Sequence, residues 1–216
     1  ILGSISGISP TEVIILGAGT VGEFSARAAL GLGATVKLFD NSLYKLRKIQ
    51  SALNRQVFTS VIHPKVLQKH LKTADVVIGA IRNSHGKAPC IISEEMVKSM
   101  KQSSVIIDVS IDHGGCFETS QVTTHIHPVF RKHDVIHYCV PNIPSRFSRT
   151  ASYAFSTICG PTLLSIGEYG GISKILKHDA GLRNGIYIYN GILINKCLGE
   201  LFNLPYKDIN LLMAAI

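Results

Sequence analysis

Tryptophan is absent, methionine occurs only three times, and charged residues make up just 17% of the 216 positions, against 46% apolar. That balance excludes an intrinsically disordered chain, which carries high charge and too little apolar surface to form a core. The length suits one sizeable domain, or one domain and part of another. Acidic residues are the scarcer sign, 14 against 22 basic, for a net charge of +8. Such a surplus points to nucleic acid or an anionic membrane when the cations cluster. Here the basic residues are dispersed, without a run of five and without interleaved aromatics, so neither partner is expected.

The five cysteines (Cys90, Cys116, Cys139, Cys159 and Cys197) are odd in number and contain no CxxC pair. Buried thiols in a reducing cytoplasm are therefore expected, in place of a disulfide framework or a zinc site. Long apolar runs are also missing. The stretch 150–167 has no charge, yet it contains Ser152, Ser156, Thr157, Gly160, Pro161, Thr162 and Ser165. It reads as a buried helix kinked at Pro161, not as a membrane span. The sequence opens at Ile1 and runs into Gly3, Ser4, Gly7 and Pro10, with no basic-then-apolar leader. The expectation is a start within a linker.

What is present is an alternation of short apolar runs with longer amphipathic ones. Strands are predicted over 12–16, 35–39, 56–60, 75–79, 105–109 and 135–140, each rich in Val and Ile with little alternation, as strands covered on both faces should be. Helices are predicted over 21–32, 42–54, 64–73 and 93–100, the last with Ser93 as N-cap and Glu94 and Glu95 in its first turn. This is the pattern of an α/β fold, a Rossmann-type doubly wound parallel sheet. Pro141, Pro144, Ser145 and Ser148 then mark a loop. The expected division is a nucleotide-binding domain over 1–144, followed by a helical segment of a second domain over 145–216 with no further strand.

The strongest local motif is Gly17-Ala18-Gly19-Thr20-Val21-Gly22, a GxGxxG loop entered by Val13-Ile14-Ile15-Leu16 and left by an amphipathic helix. Alone it is weak. In this setting Gly17 permits the tight turn, Gly19 lets the backbone approach a pyrophosphate, and Gly22 allows close helix–strand packing. The anion would sit on the free N–H groups at the helix N-terminus. Asp40 ends the next predicted strand, about twenty residues beyond the loop, where a carboxylate accepts hydrogen bonds from the adenosine ribose. A carboxylate there repels a 2′-phosphate, so NAD is the expected cofactor, ahead of NADP.

Other constellations are weaker. His113, His125, His127, His133 and His137 fall close together, and His125 and His127 would share one face of an extended segment. No Cys or carboxylate completes a recognised ligand spacing, so no metal is expected. Asp112 beside His113 lacks the GxSxG elbow of a hydrolase. Tyr187 and Tyr189 read as packing residues.

Several segments resemble alanine dehydrogenase: Asp112-His113-Gly114-Gly115-Cys116-Phe117-Glu118-Thr119-Ser120, His137-Tyr138-Cys139-Val140-Pro141-Asn142-Ile143-Pro144, the glycine loop with its strand, and Lys87-Ala88-Pro89 followed by Glu94-Glu95-Met96-Val97. The resemblance covers essentially the whole sequence and corresponds to the second half or more of such an enzyme. It implies reversible oxidative deamination of L-alanine to pyruvate and ammonium with NAD as hydride acceptor, in a homo-oligomer that is hexameric in the family.

The resemblance also implies roles. Asp112 matches the active-site aspartate near the nicotinamide, and Asn142 an asparagine that holds nicotinamide and substrate. Gly17, Gly19, Thr20, Val21 and Gly22 match the phosphate loop, and Asp40 with Lys45 the ribose-binding pair. Ala80, Ile81, Val109, Val140 and Ile143 match backbone or apolar contacts to the cofactor. Arg82 stands where the family has an apolar residue, and Ile143 where it has Met. The arginine, lysine and histidine that handle the substrate in the family are expected to lie outside these residues, so residues 1–216 alone are expected to be inactive. Two other readings stay open: the NAD-binding subunit of a proton-translocating NAD(P) transhydrogenase, and a non-catalytic NAD-binding module. The 116–120 segment and the Asn142 motif favour the dehydrogenase over the first, and the presence of both Asp112 and Asn142 weighs against the second.

Overall fold

In the computed structural model, which describes residues 1–83 and 86–214, the apolar runs become strands and a glycine or carboxylate stands at the end of several of them. In chain order the first unit runs β1 (Glu12–Leu16), α1 (Thr20–Gly31), β2 (Thr35–Phe39), α2 (Leu43–Leu53), β3 (Phe58–Ser60), α3 (Pro64–Leu71), β4 (Val76–Gly79), α4 (Glu94–Lys98), β5 (Val105–Asp108), β6 (Val129–Lys132) and β7 (Val135–Tyr138). The seven strands lie in the order β3-β2-β1-β4-β5-β7-β6, parallel throughout except for the β6–β7 pair. This is the doubly wound α/β sheet that the sequence pattern predicts. Its order reverses between β1 and β4, where a crevice opens outside the carboxyl ends of the strands.

The period of two along β1 builds both cores. Val13 and Ile15 join Val36, Leu38, Leu46 and Ile49 on one face, with Ala26 and Ala29 of α1. Ile14 and Leu16 join Phe39, Leu67, Leu71, Val77 and Ile106 on the other. Alternate residues of one strand point to opposite faces, so a strand without polar positions demands cover on both sides. Ser93 caps α4 as expected, accepting from Met96 N at 3.3 Å.

The edge strand β6 is not legible as a strand, and its turn explains why. His133 (φ 52°) and Asp134 (φ 59°) form a two-residue left-handed connection to β7. Asn-Gly is the usual signal for such a turn. His125 and His127 lie in a bend, not on an extended segment, because Thr124 Oγ1 accepts from His127 N and Thr124 N donates to His127 O. Among the described residues no group of three His, Cys, Asp or Glu side chains is arranged to hold a metal ion.

The chain divides into two compact units, Ile1–Ile143 and Pro144–Ile216. The second contains α5 (Ser148–Glu168), α6 (Ile172–His178), α7 (Ala180–Asn184), β8 (Ile188–Tyr189), β9 (Ile192–Leu193), α8 (Lys196–Phe202) and α9 (Ile209–Ala214). Its core gathers Leu176, Tyr189 and Ile194. Two expectations are corrected here. A β8–β9 hairpin closes through Asn190 (φ 48°) and Gly191 (φ 78°), where no strand was expected. The stretch around Pro161 is one helix, as expected, but none of its residues is buried. Tyr153, Phe155, Ile158, Leu163 and Leu164 are spread around its circumference among Ser and Thr, so no single apolar stripe is offered for burial. Tyr187 is also exposed, unlike Tyr189. Among the described residues no helix is long and apolar enough to cross a membrane.

Candidate functional site

The glycine loop turns at the end of β1. Gly17 adopts φ +106°, and a Cβ there would strike the Ala80 carbonyl, so the loop after β1 and the end of β4 touch through backbone alone. A Cβ on Gly22 would strike the Gly17 carbonyl, which is the close approach of α1 to β1 that only glycine permits. Gly19 differs from both. Its φ of −86° is ordinary, and a Cβ there would meet nothing within 4 Å. Space within the protein therefore does not require glycine at that position. Gly19 is the N-cap of α1 and, having no side chain, leaves the first-turn N–H groups uncapped at the positive end of the helix dipole.

Asp40 follows β2 and is held at both oxygens. Oδ2 accepts from Ala18 N at 2.8 Å, and Oδ1 accepts from Ser42 N at 2.7 Å. These bonds fix the carboxylate against the glycine loop and leave lone pairs on each oxygen for further donors. Gly17, Gly19, Asp40, Lys45, Ala80, Ile81 and Arg82 line a cavity of about 190 Å³. Gly19, Thr20, Val21, Lys45, Ala80 and Arg82 line an adjoining depression of about 500 Å³. The sequence reading missed Asn41, Ile62, Pro89 and Ile91, which also line the smaller cavity. Asn41 and Ile62 are marked only by their place after strand ends, Pro89 by the Lys87-Ala88-Pro89 segment, and Ile91 by nothing local. A larger depression of about 630 Å³ lies at the end of α2, lined by Gln50, Arg55 and Val57 among others. It gathers none of the sequence-predicted site residues.

The other group of predicted residues follows β5 and β7. A short 3-10 turn, Val109–His113, carries Asp112, which is exposed and accepts from Asn142 N at 2.9 Å through Oδ1. Asn142 is itself left-handed, with φ 51°. Val140 is buried, while Val109 and Ile143 are half-buried beside these turns. None of the five lines the two cavities. The link between the groups is Ser110, whose hydroxyl oxygen accepts from Ile81 N at 2.9 Å.

Beneath this surface lies a buried polar network. Asp108 ends β5 fully buried and accepts from Ser110 N at 3.0 Å, Cys116 N at 3.0 Å and Ser120 Oγ at 2.6 Å. Burial pushes its carboxyl above the usual carboxylate range, and the donors from Ser120, Cys116 and Ser110 pull the other way. Burial, then the nearby Asp108 charge, raises the Cys116 thiol, so it stays protonated. His137 is buried as well. Its Nδ1 lies 3.1 Å from the Val135 carbonyl, which can only accept. Nδ1 therefore carries the proton, and Nε2 accepts from Thr119 Oγ1 at 2.8 Å.

A doubly wound sheet with a glycine loop and a fixed carboxylate at its switch point defines a nucleotide-binding α/β protein. Residues 1–196 match the family described as alanine dehydrogenase/PNT, C-terminal domain, and the chain belongs to that family. It is 35% identical over 208 residues to the alanine dehydrogenase of Mycolicibacterium smegmatis, covering 96% of this chain and 56% of that protein. Against the alanine dehydrogenase of Staphylococcus saprophyticus the identity is 37% over 210 residues, covering 97% of this chain and again 56% of the relative. The chain thus spans a little over half the length of these relatives. A solved L-alanine dehydrogenase superposes with TM-score 0.85 at 32% identity, over 94% of this chain and 55% of that one. A transhydrogenase from Sinorhizobium meliloti shares the fold, with TM-score 0.66 at 22% identity over 76% of this chain and 48% of that one.

Proposed function

We propose that this chain is the NAD-binding part of an L-alanine dehydrogenase, which converts L-alanine, NAD and water to pyruvate, ammonium and NADH. The observation that carries the reading is Gly19, a loop glycine with open space where a side chain would be, at the N-terminus of α1 and beside the fixed carboxylate of Asp40. A ligand phosphate would account for the missing side chain. The nucleotide-binding unit is 1–144 on this reading, and 145–216 belongs to the substrate domain.

The residues present fit the cofactor. Gly17, Gly19, Thr20, Val21 and Gly22 would hold the diphosphate, and Asp40 with Lys45 the adenosine ribose. Ala80, Ile81, Val109, Val140 and Ile143 would supply backbone and apolar contacts. Bound NAD supplies the hydride acceptor. Asp112 accepts the Asn142 N–H at Oδ1, which leaves Oδ2 to take or give a proton at the substrate nitrogen or an attacking water. A carboxylate at that place also stabilises positive charge as it develops on the nitrogen. Asn142, held at its backbone, orients its amide toward the reacting groups. Identity to alanine dehydrogenases above one third supports this substrate class.

The rest of the relatives' length has no counterpart in residues 1–216, and we assign the groups that grip the alanine carboxylate to it. We also expect a homo-oligomer and a cytoplasmic protein. Hydride transfer needs near-attack geometry, and a misplacement of about 1 Å costs around a hundredfold. An assay of NADH formation from L-alanine, on residues 1–216 alone and together with the missing half of an alanine dehydrogenase, tests the reading. Turnover is expected only in the second case. Turnover by residues 1–216 alone would show that the substrate grip has been assigned to the wrong residues.

A further inference from the structure

Asp108 is an expensive residue to keep. A carboxylate with no exposed surface loses its hydration, and an apolar side chain of similar size at the end of β5 would avoid that cost. The structure has instead been built around it. Three donors converge on its two oxygens from positions 110, 116 and 120, and the Cys116 thiol lies 3.7 Å from Oδ1. Glycines close the space beside it. A Cβ on Gly79 would lie 3.0 Å from Oδ1, and one on Gly115, at φ +77°, would lie 2.7 Å from Oδ2. The donors bracket the turn that carries Asp112, so the carboxylate ties that turn to the end of the sheet.

One of those donors reaches further. Ser110 is itself buried, at 3% exposure, and its backbone N–H is spent on Asp108. Its hydroxyl oxygen accepts from Ile81 N at 2.9 Å, and Ile81 lines the cavity that holds Asp40 and the glycine loop. A chain of two hydrogen bonds thus runs from the buried carboxylate to the cleft wall.

We infer that Asp108 and Ser110 are positioning residues of the candidate site, Asp108 holding Ser110 and Ser110 holding Ile81 in the wall of the nucleotide cleft. This rests on the reading of the cleft as an NAD site. Neither residue touches the ligand. Each acts by removing alternative positions of the backbone at Ile81 and of the turn at Asp112, which a bound nucleotide would otherwise have to select against.

The test uses residues 1–216 with Ser110→Ala, Asp108→Asn and the double variant, with NADH affinity read by cofactor fluorescence and stability by thermal melting. Amide exchange at Ile81 is followed by NMR. Ser110→Ala is expected to weaken NADH about fivefold, the scale of one hydrogen bond, and to lower the melting temperature by no more than roughly the few degrees that one lost bond costs, leaving the chain folded at the titration temperature. The Ile81 amide should exchange faster, while the neighbouring Ala80 amide, bonded to the Leu16 carbonyl, keeps its protection. Asp108→Asn should weaken NADH at least as much, and the double variant no more than about twofold beyond it, since both act through one chain. Should Asp108→Asn fail to fold, Ser110→Ala decides alone. NADH affinity within twofold of the parent in Ser110→Ala, or a loss explained by lower stability with Ile81 exchange unchanged, would overturn the inference while the NAD reading stands. A parent chain that binds no NADH overturns both.

Discussion

Asp112 Oδ1 accepts a hydrogen bond from the backbone N–H of Asn142 at 2.9 Å, across thirty positions of sequence. The bond joins the turn after β5 to the turn after β7, so the two residues matched to the chemistry are held by each other. An asparagine at 112 retains an oxygen acceptor and loses only the charge and the proton-carrying oxygen. Asp112→Asn is therefore expected to keep NADH affinity within about threefold. In an enzyme that also carries the substrate-gripping half, turnover with pyruvate, ammonium and NADH should fall by about a hundredfold or more. Asp112→Ala should also cost about 1 kcal/mol of stability from the lost bond. Near-normal turnover by Asp112→Asn would remove that carboxylate from proton transfer.

The last two glycines of the loop separate packing from binding. Gly22→Ala places a Cβ against the Gly17 carbonyl, backbone against backbone, and should destabilise the fold by about 1–3 kcal/mol, the scale of overpacking. Gly19→Ala meets nothing in the protein, at a φ that alanine accepts, and should melt like the parent. Its NADH affinity should nonetheless drop at least about tenfold if a phosphate lies against that backbone. Melting curves and NADH titrations of the two variants read the difference. Unchanged affinity in Gly19→Ala would move the phosphate elsewhere.

His137 makes stability fall toward acid. Burial holds its pKa below the ordinary 6.5, ahead of the opposing bond to the Val135 carbonyl, so the folded ring stays neutral where the unfolded one charges. The unfolded chain then binds the extra proton. Stability is full above about pH 6.5 and is lost as pH falls from there toward the depressed folded value, with a slope of up to about 1.4 kcal/mol per pH unit. His70, lowered by burial and then by Lys37, adds in the same direction from a more exposed position. Asp75 and Glu94, whose carboxyls are lowered by Lys101 and by His133 with Lys132, contribute only in a separate window below the ordinary carboxylate range. Urea melts between pH 7 and pH 5 should show the loss, and His137→Gln should flatten it. A flat profile in the parent would mean that the buried ring titrates normally.

Much of this was legible in the sequence where one residue type answers one local demand. The unbroken apolar run of β1 announces cover on both faces, and Asp40 is found by counting from the glycine loop. The β8–β9 hairpin was missed: its turn, Asn190-Gly191, is of the usual kind, but its two-residue strands are too short to show alternation. The β6–β7 turn uses His133 and Asp134 in a conformation that sequence rarely signals with those residues. The Ser110–Ile81 bond was beyond reach, because a hydroxyl meeting a backbone N–H 29 positions away leaves no pattern. Asp108 was visible only as a charge inside an apolar run, the same sign that marks Asp40 at the end of β2.

The most direct test of the account is titration of residues 1–216 with NADH and with NADPH. Asp40 is fixed at both oxygens and cannot swing aside from a 2′-phosphate. A like-charge clash of this kind costs several kcal/mol, on the order of a hundredfold in affinity. Asp40→Ser should narrow that gap by admitting NADPH, helped by Lys45 and Arg82 in the same cleft. Saturable binding of one NADH per chain is expected, with NADPH about a hundredfold weaker. Absence of saturable NADH binding, or equal affinity for the two cofactors, would contradict it.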